Sequence, residues 1–279
     1  MIHDDTICLL GEGPLWHPTR HQLYWFDILG RTLHTKGQHW GFDTFVSAAG
    51  WVDHDHLLIA SATALSLFDL TTGRSELVTP LEADTPLTRS NDGRADPQGG
   101  FWIGTMGIRL EPGAGSIWRY YRGELRRLYA GITVTNAISF TPDGTTAYYS
   151  DTATQTIMTQ RLDEQGWPTG APTLHIDLRG TTHFPDGAVV DAAGNLWNAQ
   201  WGSGRVATYD PTGQFLFVTD LPASQTTCPA FGGADLTTLF CTSAAVGLPQ
   251  THIAENPASG RTFAVATGHR GQPEHQVIL

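Results

Sequence analysis

The sequence predicts an all-β protein, a six-bladed β-propeller formed by a single domain over residues 1–279. Three observations lead to this prediction: six similar aromatic-rich segments, a further hairpin pattern after each of the first five, and the absence of sustained helical periodicity. The segments recur at intervals of roughly 33 to 49 residues, a spacing typical of propeller arrays. They read HPTRHQLYWFDI, VDHDHLLIASA, DPQGGFWIGTM, TPDGTTAYYSD, DAAGNLWNAQW and GGADLTTLFCTSA.

Each element of a blade has a local signal. Within a segment, turn residues precede an aromatic or β-branched run; in the fourth, Pro142-Asp143-Gly144 reverses the chain before the strand TAYYSD. The stretches RTLHTKG, LSLFDLTTGR, GSIWRYYRGEL, QTIMTQRLDEQG and GRVATYDPTGQF predict a second hairpin in each unit. A propeller must also close its ring, and we expect the N-terminal strand TICLL to pair with the final blade near HQVIL.

The net charge of the chain limits the classes of partner that it can bind. Sixteen basic and 27 acidic residues give a net charge of −11, which repels phosphate backbones and anionic lipids, so no nucleic acid or membrane partner is expected. The N-terminus is acidic where a signal peptide needs basic residues, and no run approaches the ~18 apolar residues of a membrane span, so we expect a cytoplasmic protein. Cys8, Cys228 and Cys241 lack CxxC spacing and are expected to be buried thiols.

Polar residues occur at matching places in several repeats. Glu12 lies between two glycines, Asn91 and Asp92 precede a glycine, Asn136 interrupts an apolar run, and Asp186 lies between proline and glycine. Each is located roughly 7 to 13 residues ahead of an aromatic strand, just before the innermost strand of its blade. This placement would bring the side chains to one face of the ring, at the entrance of a central channel.

Glu12, Asn136 and Asp186 form an all-oxygen ligand set suited to a hard cation such as Ca²⁺, Mg²⁺ or Mn²⁺. Each residue also has an ordinary interpretation. Glu12 can cap a turn, Asn136 can be a buried and satisfied amide, and Asp186 can belong to a Pro-Asp-Gly turn. The residues alone leave both interpretations open.

Six stretches of the chain resemble the senescence marker protein 30/gluconolactonase/luciferin-regenerating enzyme family. They cover nearly the whole chain in order: LGEGPLW, LYWFDI, RSNDGRADPQGGFWIGTMG, TNAISFTPDGTTAYYSDT, PDGAVVDAAGNLWNAQWGSGRV and CPAFGGADLTTLFCTSA. The resemblance implies a six-bladed propeller with one divalent metal ion in its channel, expected to be Ca²⁺, with Zn²⁺, Mn²⁺, Mg²⁺ or Fe²⁺ as alternatives. It assigns the metal ligands to Glu12, Asn136 and Asp186, the general base to Asp186, and substrate contacts to Arg89 and Asn91.

The reaction that the resemblance implies is hydrolysis of a sugar-acid lactone to the open acid, so the expected partner is a small-molecule sugar lactone. A metal ion polarises the ester carbonyl and Asp186 deprotonates the attacking water, which needs no serine nucleophile. The chain accordingly has no G-x-S-x-G motif. Two alternatives are a hydrolase of other esters or phosphotriesters that uses the same metal site, and a non-catalytic propeller that serves as a binding scaffold.

The sequence departs from the family pattern at two places near the site. Ala137 follows Asn136 where relatives commonly have glycine, and Ile108-Arg109-Leu110 stands where some relatives have acidic residues facing the sugar. Arg109, together with Arg89, would favour a lactone that bears a second acid group, because guanidinium groups bind carboxylates bidentately. The alternative is that Arg109 points outward and pairs with Glu111.

Overall fold

Six four-stranded antiparallel sheets follow one another along the chain in the computed structural model, which describes residues 1–279. We number them as blades one to six. The innermost strand of each blade contacts the innermost strands of its two neighbours, and that of the sixth blade contacts that of the first, so the sheets close a ring around a central channel. The predicted all-β, six-bladed β-propeller is confirmed.

The strands of blades one to five run in chain order from the channel outward. In blades one to three they are Gly11–His17, Gln22–Asp27, Thr32–Thr35 and Gln38–Gly41; Val46–Trp51, His56–Ser61, Ala64–Asp69 and Ser75–Pro80; and Thr88–Ala95, Phe101–Gly107, Gly115–Tyr121 and Glu124–Ile132. In blades four and five they are Thr135–Phe140, Thr146–Asp151, Thr156–Arg161 and Thr173–Asp177; and Phe184–Val190, Leu196–Trp201, Arg205–Tyr209 and Phe215–Asp220. A 3₁₀ turn, Thr152–Thr154, and one α-helix, Gln250–Glu255, complete the elements, and neither is long and apolar enough to cross a membrane.

The sixth blade takes its strands from both ends of the chain. Its three inner strands are Thr226–Gly232, Thr238–Ser243 and Thr262–Ala266, and its outermost strand is the N-terminal Ile2–Asp4. The N-terminus therefore pairs with the final blade as expected, but the predicted segments TICLL and HQVIL are wrong. Residues 6–10 run from the rim of the blade to the channel, so they cannot also extend along its outer edge.

The aromatic segments that define the repeat form the second strand of each blade. Trp25, Trp102 and Trp197 lie on second strands and are completely buried. Tyr24 in blade one packs in the same apolar cluster as Ile59 in blade two, which shows that these side chains fill the space between neighbouring blades. The blades converge towards the channel, so large side chains fit better on the second strand than on the innermost one.

The innermost strand of every blade contains a register shift relative to the second strand. Such β-bulges bend a strand and re-aim its side chains. In blade one the shift lies between Glu12 and Leu15, where Gly13 has a φ of 52° and a Cβ atom would lie 2.3 Å from the Ser47 carbonyl oxygen. The polar residues predicted ahead of the innermost strands lie inside them instead, and the bulges allow their side chains to reach the channel.

The C-terminal tail, residues 272–278, crosses the far ends of the innermost strands. The Gln272 side-chain nitrogen donates hydrogen bonds to the carbonyl oxygens of Phe140, at 2.8 Å, and Val190, at 3.1 Å, the last residues of two innermost strands. The Glu274 carboxylate enters the channel and forms a buried ion pair with Arg94. The tail therefore covers the channel at the end opposite to the start of the innermost strands.

Candidate active site in the central channel

A cavity of about 320 Å³ opens at the channel end where the innermost strands begin. Its polar lining comes from blades one, three, four and five and consists of Glu12, Arg89, Asn91, Asn136, Thr152 and Asp186. Five of the six residues predicted for the site are in this set. We call these six side chains the polar floor.

Glu12 and Asp186 are the only carboxyl groups of the polar floor, and both are buried. Glu12 Oε2 also accepts a hydrogen bond from the Gly13 N–H at 3.1 Å. Neither carboxyl forms an ion pair with a lysine, arginine or histidine. Burial, and then the neighbouring carboxylates, raise the pKa of Glu12 to about 8 and that of Asp186 well above its ordinary value. Without a cation, the pair therefore retains a proton near neutral pH.

Asp186 reaches the channel because its Pro-Asp-Gly sequence is part of a strand. It lies within Phe184–Val190 at the register shift between Pro185 and Ala188. A Cβ atom on Gly187 would lie 2.3 Å from Cys228 Sγ, so only glycine allows blades five and six to approach this closely. The other Pro-Asp-Gly, at 142–144, forms the turn that the sequence predicts.

A chain of hydrogen bonds connects the polar floor across three blades. Arg89 Nη1 donates to Asn91 Oδ1 at 2.8 Å, and Asn91 Nδ2 donates to Asn136 Oδ1 at 3.3 Å. Asn136 Nδ2 donates to Thr152 Oγ1 at 2.8 Å, whose hydroxyl in turn donates to the Pro185 carbonyl at 2.7 Å. These contacts orient the Asn136 amide, with its nitrogen towards Thr152 and its oxygen towards Asn91. Burial lowers the pKa of Arg89 to about 10, so its guanidinium remains charged at neutral pH.

Asp92 is a third buried carboxylate next to the cavity, and the sequence had given it no role. Its Oδ2 atom accepts a hydrogen bond from the Ile138 N–H at 2.7 Å. The preceding residue, Ala137, has a left-handed φ of 58° within the bulge that follows Asn136. Asp92 thus stabilises the bulge that presents Asn136 to the channel. Burial raises the pKa of Asp92 to about 6.

Six apolar residues surround the polar floor towards the opening, and we call them the apolar collar: Leu10, Met106, Leu110, Val134, Trp201 and Val246. Sequence reasoning missed them, together with Thr152, except for Leu110, which lies in the segment Ile108-Arg109-Leu110. Single apolar residues in loops and at strand ends have no periodicity that would distinguish them from ordinary packing positions.

Arg109 lies outside the cavity lining, on the exposed surface. Its backbone N–H donates to Glu111 Oε2 at 2.9 Å, but its guanidinium forms no ion pair. The structure therefore does not bring Arg109 together with Arg89.

The structure contains no group of three or more histidine, cysteine, aspartate or glutamate side chains arranged to hold a metal ion. The predicted ligand set of Glu12, Asn136 and Asp186 is different in kind, because it combines two carboxylates with an amide. The structure itself therefore does not show a metal site in the channel.

Comparisons with known proteins agree with the fold. The family described as SMP-30/Gluconolactonase/LRE-like region matches residues 10–245. A candidate sugar lactone lactonase of Rhizobium meliloti is 39% identical over 272 residues, covering 95% of this chain and 92% of that protein. A 6-deoxy-6-sulfogluconolactonase of Pseudomonas putida is 33% identical over 273 residues, covering 95% and 94%.

A solved structure is similar over the whole chain. It is regucalcin from Agrobacterium tumefaciens, described as a calcium-binding protein, with a TM-score of 0.97 and 41% identity, covering 100% of this chain and 97% of that one. The family match extends over most of the residues that form the propeller and includes all residues of the polar floor. The chain therefore belongs to the SMP-30/gluconolactonase/LRE-like family, as its sequence predicts.

Proposed function

We propose that this protein is a divalent-metal-dependent hydrolase that opens the ring ester of a sugar-type lactone to give the free acid. The observation that carries the proposal is that the buried carboxyl groups of Glu12 and Asp186 line the floor of one 320 Å³ cavity together with Asn136. The lactonase names of the relatives bear out the expectation of a gluconolactonase-like enzyme. The calcium-binding description of the solved regucalcin supports a divalent ion.

The chemistry of the polar floor fits such an ion. Glu12, Asn136 and Asp186 offer carboxylate and amide oxygens, the ligands that hard divalent cations prefer, and they would hold the ion. The hydrogen bond from Asn136 Nδ2 to Thr152 orients the amide so that its oxygen remains on the side of the other polar groups. Two buried carboxylates that line one cavity, with no ion-pair partner, are unfavourable unless a proton or a cation neutralises them.

The local charge also favours a bound divalent ion. Three buried carboxyl groups lie at or next to the cavity, those of Glu12, Asp92 and Asp186. Only one guanidinium, that of Arg89, is left to balance their charge, because the neighbouring Arg94 is already paired with the C-terminal tail. With all three carboxyl groups ionised, two negative charges lack a counterion. One divalent cation would balance them.

When bound, the ion would polarise the ester carbonyl and stabilise negative charge on its oxygen. Asp186 accepts the proton of the attacking water and then transfers it to the ring oxygen that leaves as the ester bond breaks. Arg89, held by its bonds to the Ser90 carbonyl and Asn91 Oδ1, orients the carbonyl group.

The test is a pH-stat assay of neutral aldonolactones, carboxylate-bearing lactones and a paraoxon-type phosphotriester, with chelator and after addition of Ca²⁺, Mg²⁺, Mn²⁺ or Zn²⁺. We expect lactone hydrolysis that is lost with chelator and restored by metal. Asp186→Asn should lower kcat by about 100-fold or more, as general-base loss does, and Asp143→Asn in the exposed Pro-Asp-Gly turn is the matched control. Hydrolysis of the phosphotriester alone would favour the wider esterase, and no hydrolysis by the metal-loaded protein would favour a binding scaffold.

A further inference from the structure

We propose, on the basis of the proposed lactonase function, that the preferred substrate is a neutral lactone whose ring substituent is apolar, such as a methyl group, rather than hydroxylated or anionic. The inference deepens the proposed function by assigning a substrate class to the same cavity. It depends on three features of this chain: the composition of the apolar collar, the saturation of the donors of the polar floor, and the position of the charges.

The apolar collar offers almost no polar atoms to a substrate. Five of its members are aliphatic or thioether side chains, and the indole N–H of Trp201 is the single side-chain donor. A hydroxyl group that leaves water for such a wall loses its hydrogen bonds without replacement, whereas a methyl group gains from the same transfer. The collar therefore favours a substituent without hydroxyl groups.

The polar floor has little capacity left for hydroxyl groups. The amide nitrogens of Asn91 and Asn136 and the hydroxyl of Thr152 already donate to protein oxygens, and Arg89 Nη1 donates to two. The donors that remain free are one N–H of the Asn136 amide and the rest of the Arg89 guanidinium. They are enough to bind one ester group but leave few donors for the oxygens of a polyhydroxylated chain.

Leu110 is a second indication, because it holds an unfavourable backbone conformation at the cavity rim. Its φ is 64°, in the left-handed region where glycine and asparagine are favoured, and its N–H donates to the Gly107 carbonyl at 3.0 Å. The side chain is 59% exposed while it lines the cavity. A strained and exposed leucine at this position is consistent with a contact to an apolar ligand.

The charges argue against an anionic substituent. Arg89 is the only cationic side chain that lines the cavity, and Arg109 lies outside it. With Glu12 and Asp186 balanced by the ion of the proposed function, a carboxylate or sulfonate on the substituent would still have no cationic side chain of its own in the apolar collar. The substrate class is therefore neutral.

The experiment compares two pairs of lactones that differ by a single hydroxyl group. The pairs are γ-valerolactone with γ-(hydroxymethyl)-γ-butyrolactone, and L-fucono-1,4-lactone with L-galactono-1,4-lactone. With the metal-loaded protein in a pH-stat, we expect kcat/KM to be about tenfold or more higher for the methyl-bearing member of each pair, within the range that an apolar pocket achieves against an added hydroxyl. Equal values, or a preference for the hydroxylated members, would overturn the inference.

Variants at the rim locate the effect. Leu110→Asn suits the left-handed backbone and adds hydrogen-bonding groups, so the preference for the methyl-bearing lactone should fall by about threefold or more. Leu87→Asn is the matched control: Leu87 is 61% exposed on the adjacent turn, its carbonyl accepts from the Ile108 N–H, and it does not line the cavity. An equal change in both variants would show that the collar does not set the preference.

Binding of uncleaved analogues separates this inference from the proposed hydrolysis. 5-Methyl-2-pyrrolidinone and 5-(hydroxymethyl)-2-pyrrolidinone are lactams with the shapes of the first lactone pair, and their Kd values can be measured by calorimetry. Tighter binding of the methyl lactam by about tenfold supports the apolar collar, even if no lactone is hydrolysed, in which case the proposed function fails alone. Tighter binding of the hydroxymethyl lactam, with hydrolysis intact, would overturn the inference and keep the lactonase.

Discussion

The carboxyl groups of Glu12 and Asp186 come from blades one and five and are buried together on the floor of one cavity. Residues this far apart in sequence meet because each innermost strand contributes its first few side chains to the same end of the channel. The protonation state of these two carboxyl groups is the property of the site that can be measured most directly.

Metal binding should release protons. The pKa of Glu12 is raised to about 8, so the pair retains a proton at pH 7 until a cation takes its place. Addition of Ca²⁺ to chelator-treated protein at this pH should release about one proton, because a ligand must be deprotonated to bind a metal. Calorimetry in buffers with different ionisation enthalpies measures the number. Asp143→Asn should release as many protons and Asp186→Asn fewer; binding without proton release would mean that both carboxyl groups are already ionised.

His17 should make the protein sensitive to acid. The side chain is buried, its Nε2 donates to the Asp53 carbonyl at 3.0 Å, and its Nδ1 accepts from the Arg20 N–H at 3.3 Å, so protonation would place two N–H groups face to face. Burial lowers the pKa of His17 to about 4 from 6.5. The unfolded chain takes up the proton first, so this stability is complete above about pH 6.5 and is lost as the pH falls towards 4.

Urea denaturation across this pH range tests the effect of His17. His17→Gln keeps a donor for the Asp53 carbonyl but cannot titrate, so the decline in the free energy of unfolding at low pH should become shallower. The control is His21→Asn, an exposed residue with a left-handed φ of 54°, which should leave the slope unchanged. Identical slopes for wild type and His17→Gln would exclude this histidine as the origin.

The ion pair between Arg94 and Glu274 should be important for stability. Their side chains are 10% and 6% exposed, so Glu274→Gln leaves a buried guanidinium without its partner and should cost about 3 kcal/mol. The double replacement Arg94→Met with Glu274→Leu should recover much of this loss. In the exposed pair of Arg126 and Glu124, Glu124→Gln should cost less than about 1 kcal/mol. Denaturant unfolding measures all four proteins, and equal costs at the two sites would contradict the prediction.

Ala137 should tolerate glycine but not valine. Its left-handed φ of 58° costs an alanine roughly 1–2 kcal/mol, and its buried methyl returns about 0.8 kcal/mol, so Ala137→Gly should change the free energy of unfolding by less than about 1 kcal/mol. A β-branched side chain suits this conformation much less. Ala137→Val should therefore destabilise by more than Ala147→Val, an equally buried alanine without a positive φ on the neighbouring strand. Equal losses would attribute the effect to crowding alone.

The two arginines that the sequence assigned to the substrate should behave differently. Arg89 lines the cavity and bonds to Asn91, so Arg89→Met should lower kcat/KM for any lactone that the protein hydrolyses by roughly tenfold or more. Arg109 lies outside the cavity, so Arg109→Ala should change kcat/KM by less than about twofold for neutral and carboxylate-bearing lactones alike. A selective loss for the acidic lactones would restore the sequence interpretation of Arg109.

The fold could be predicted from the sequence because its signals are local and repeated. Turn residues followed by aromatic strands mark each blade, and Glu12, Asn136 and Asp186 could be proposed as one set because they occupy equivalent positions in the repeats. The two Pro-Asp-Gly tripeptides show that a local signal alone does not decide between a turn and a strand. Pro142-Asp143-Gly144 forms a turn, whereas residues 185–187 are held in a strand by the close approach of Cys228 in the next blade, a contact between distant segments.

Other features of the site were not predictable for the same reason. Glu274 lies in a tail without a repeat signature, and its position depends on a guanidinium in blade three. Leu110 and Val246 are ordinary apolar residues until the ring brings them to one opening. The segments predicted to close the ring were also wrong, because the path from Thr6 to Gly11 is set by the distance from the outer edge of blade six to the channel.

The C-terminal tail closes the far end of the channel, so the cavity has a single opening. With Gln272 bonded to two strand ends and Glu274 paired inside the channel, nothing as large as a sugar can pass through the ring. Substrate and product then use the same opening, and each acid molecule must leave before the next lactone can enter. Turnover by such an enzyme cannot be faster than the release of product through this opening. A substituent that binds to the leucines and the tryptophan at the opening would therefore slow product release.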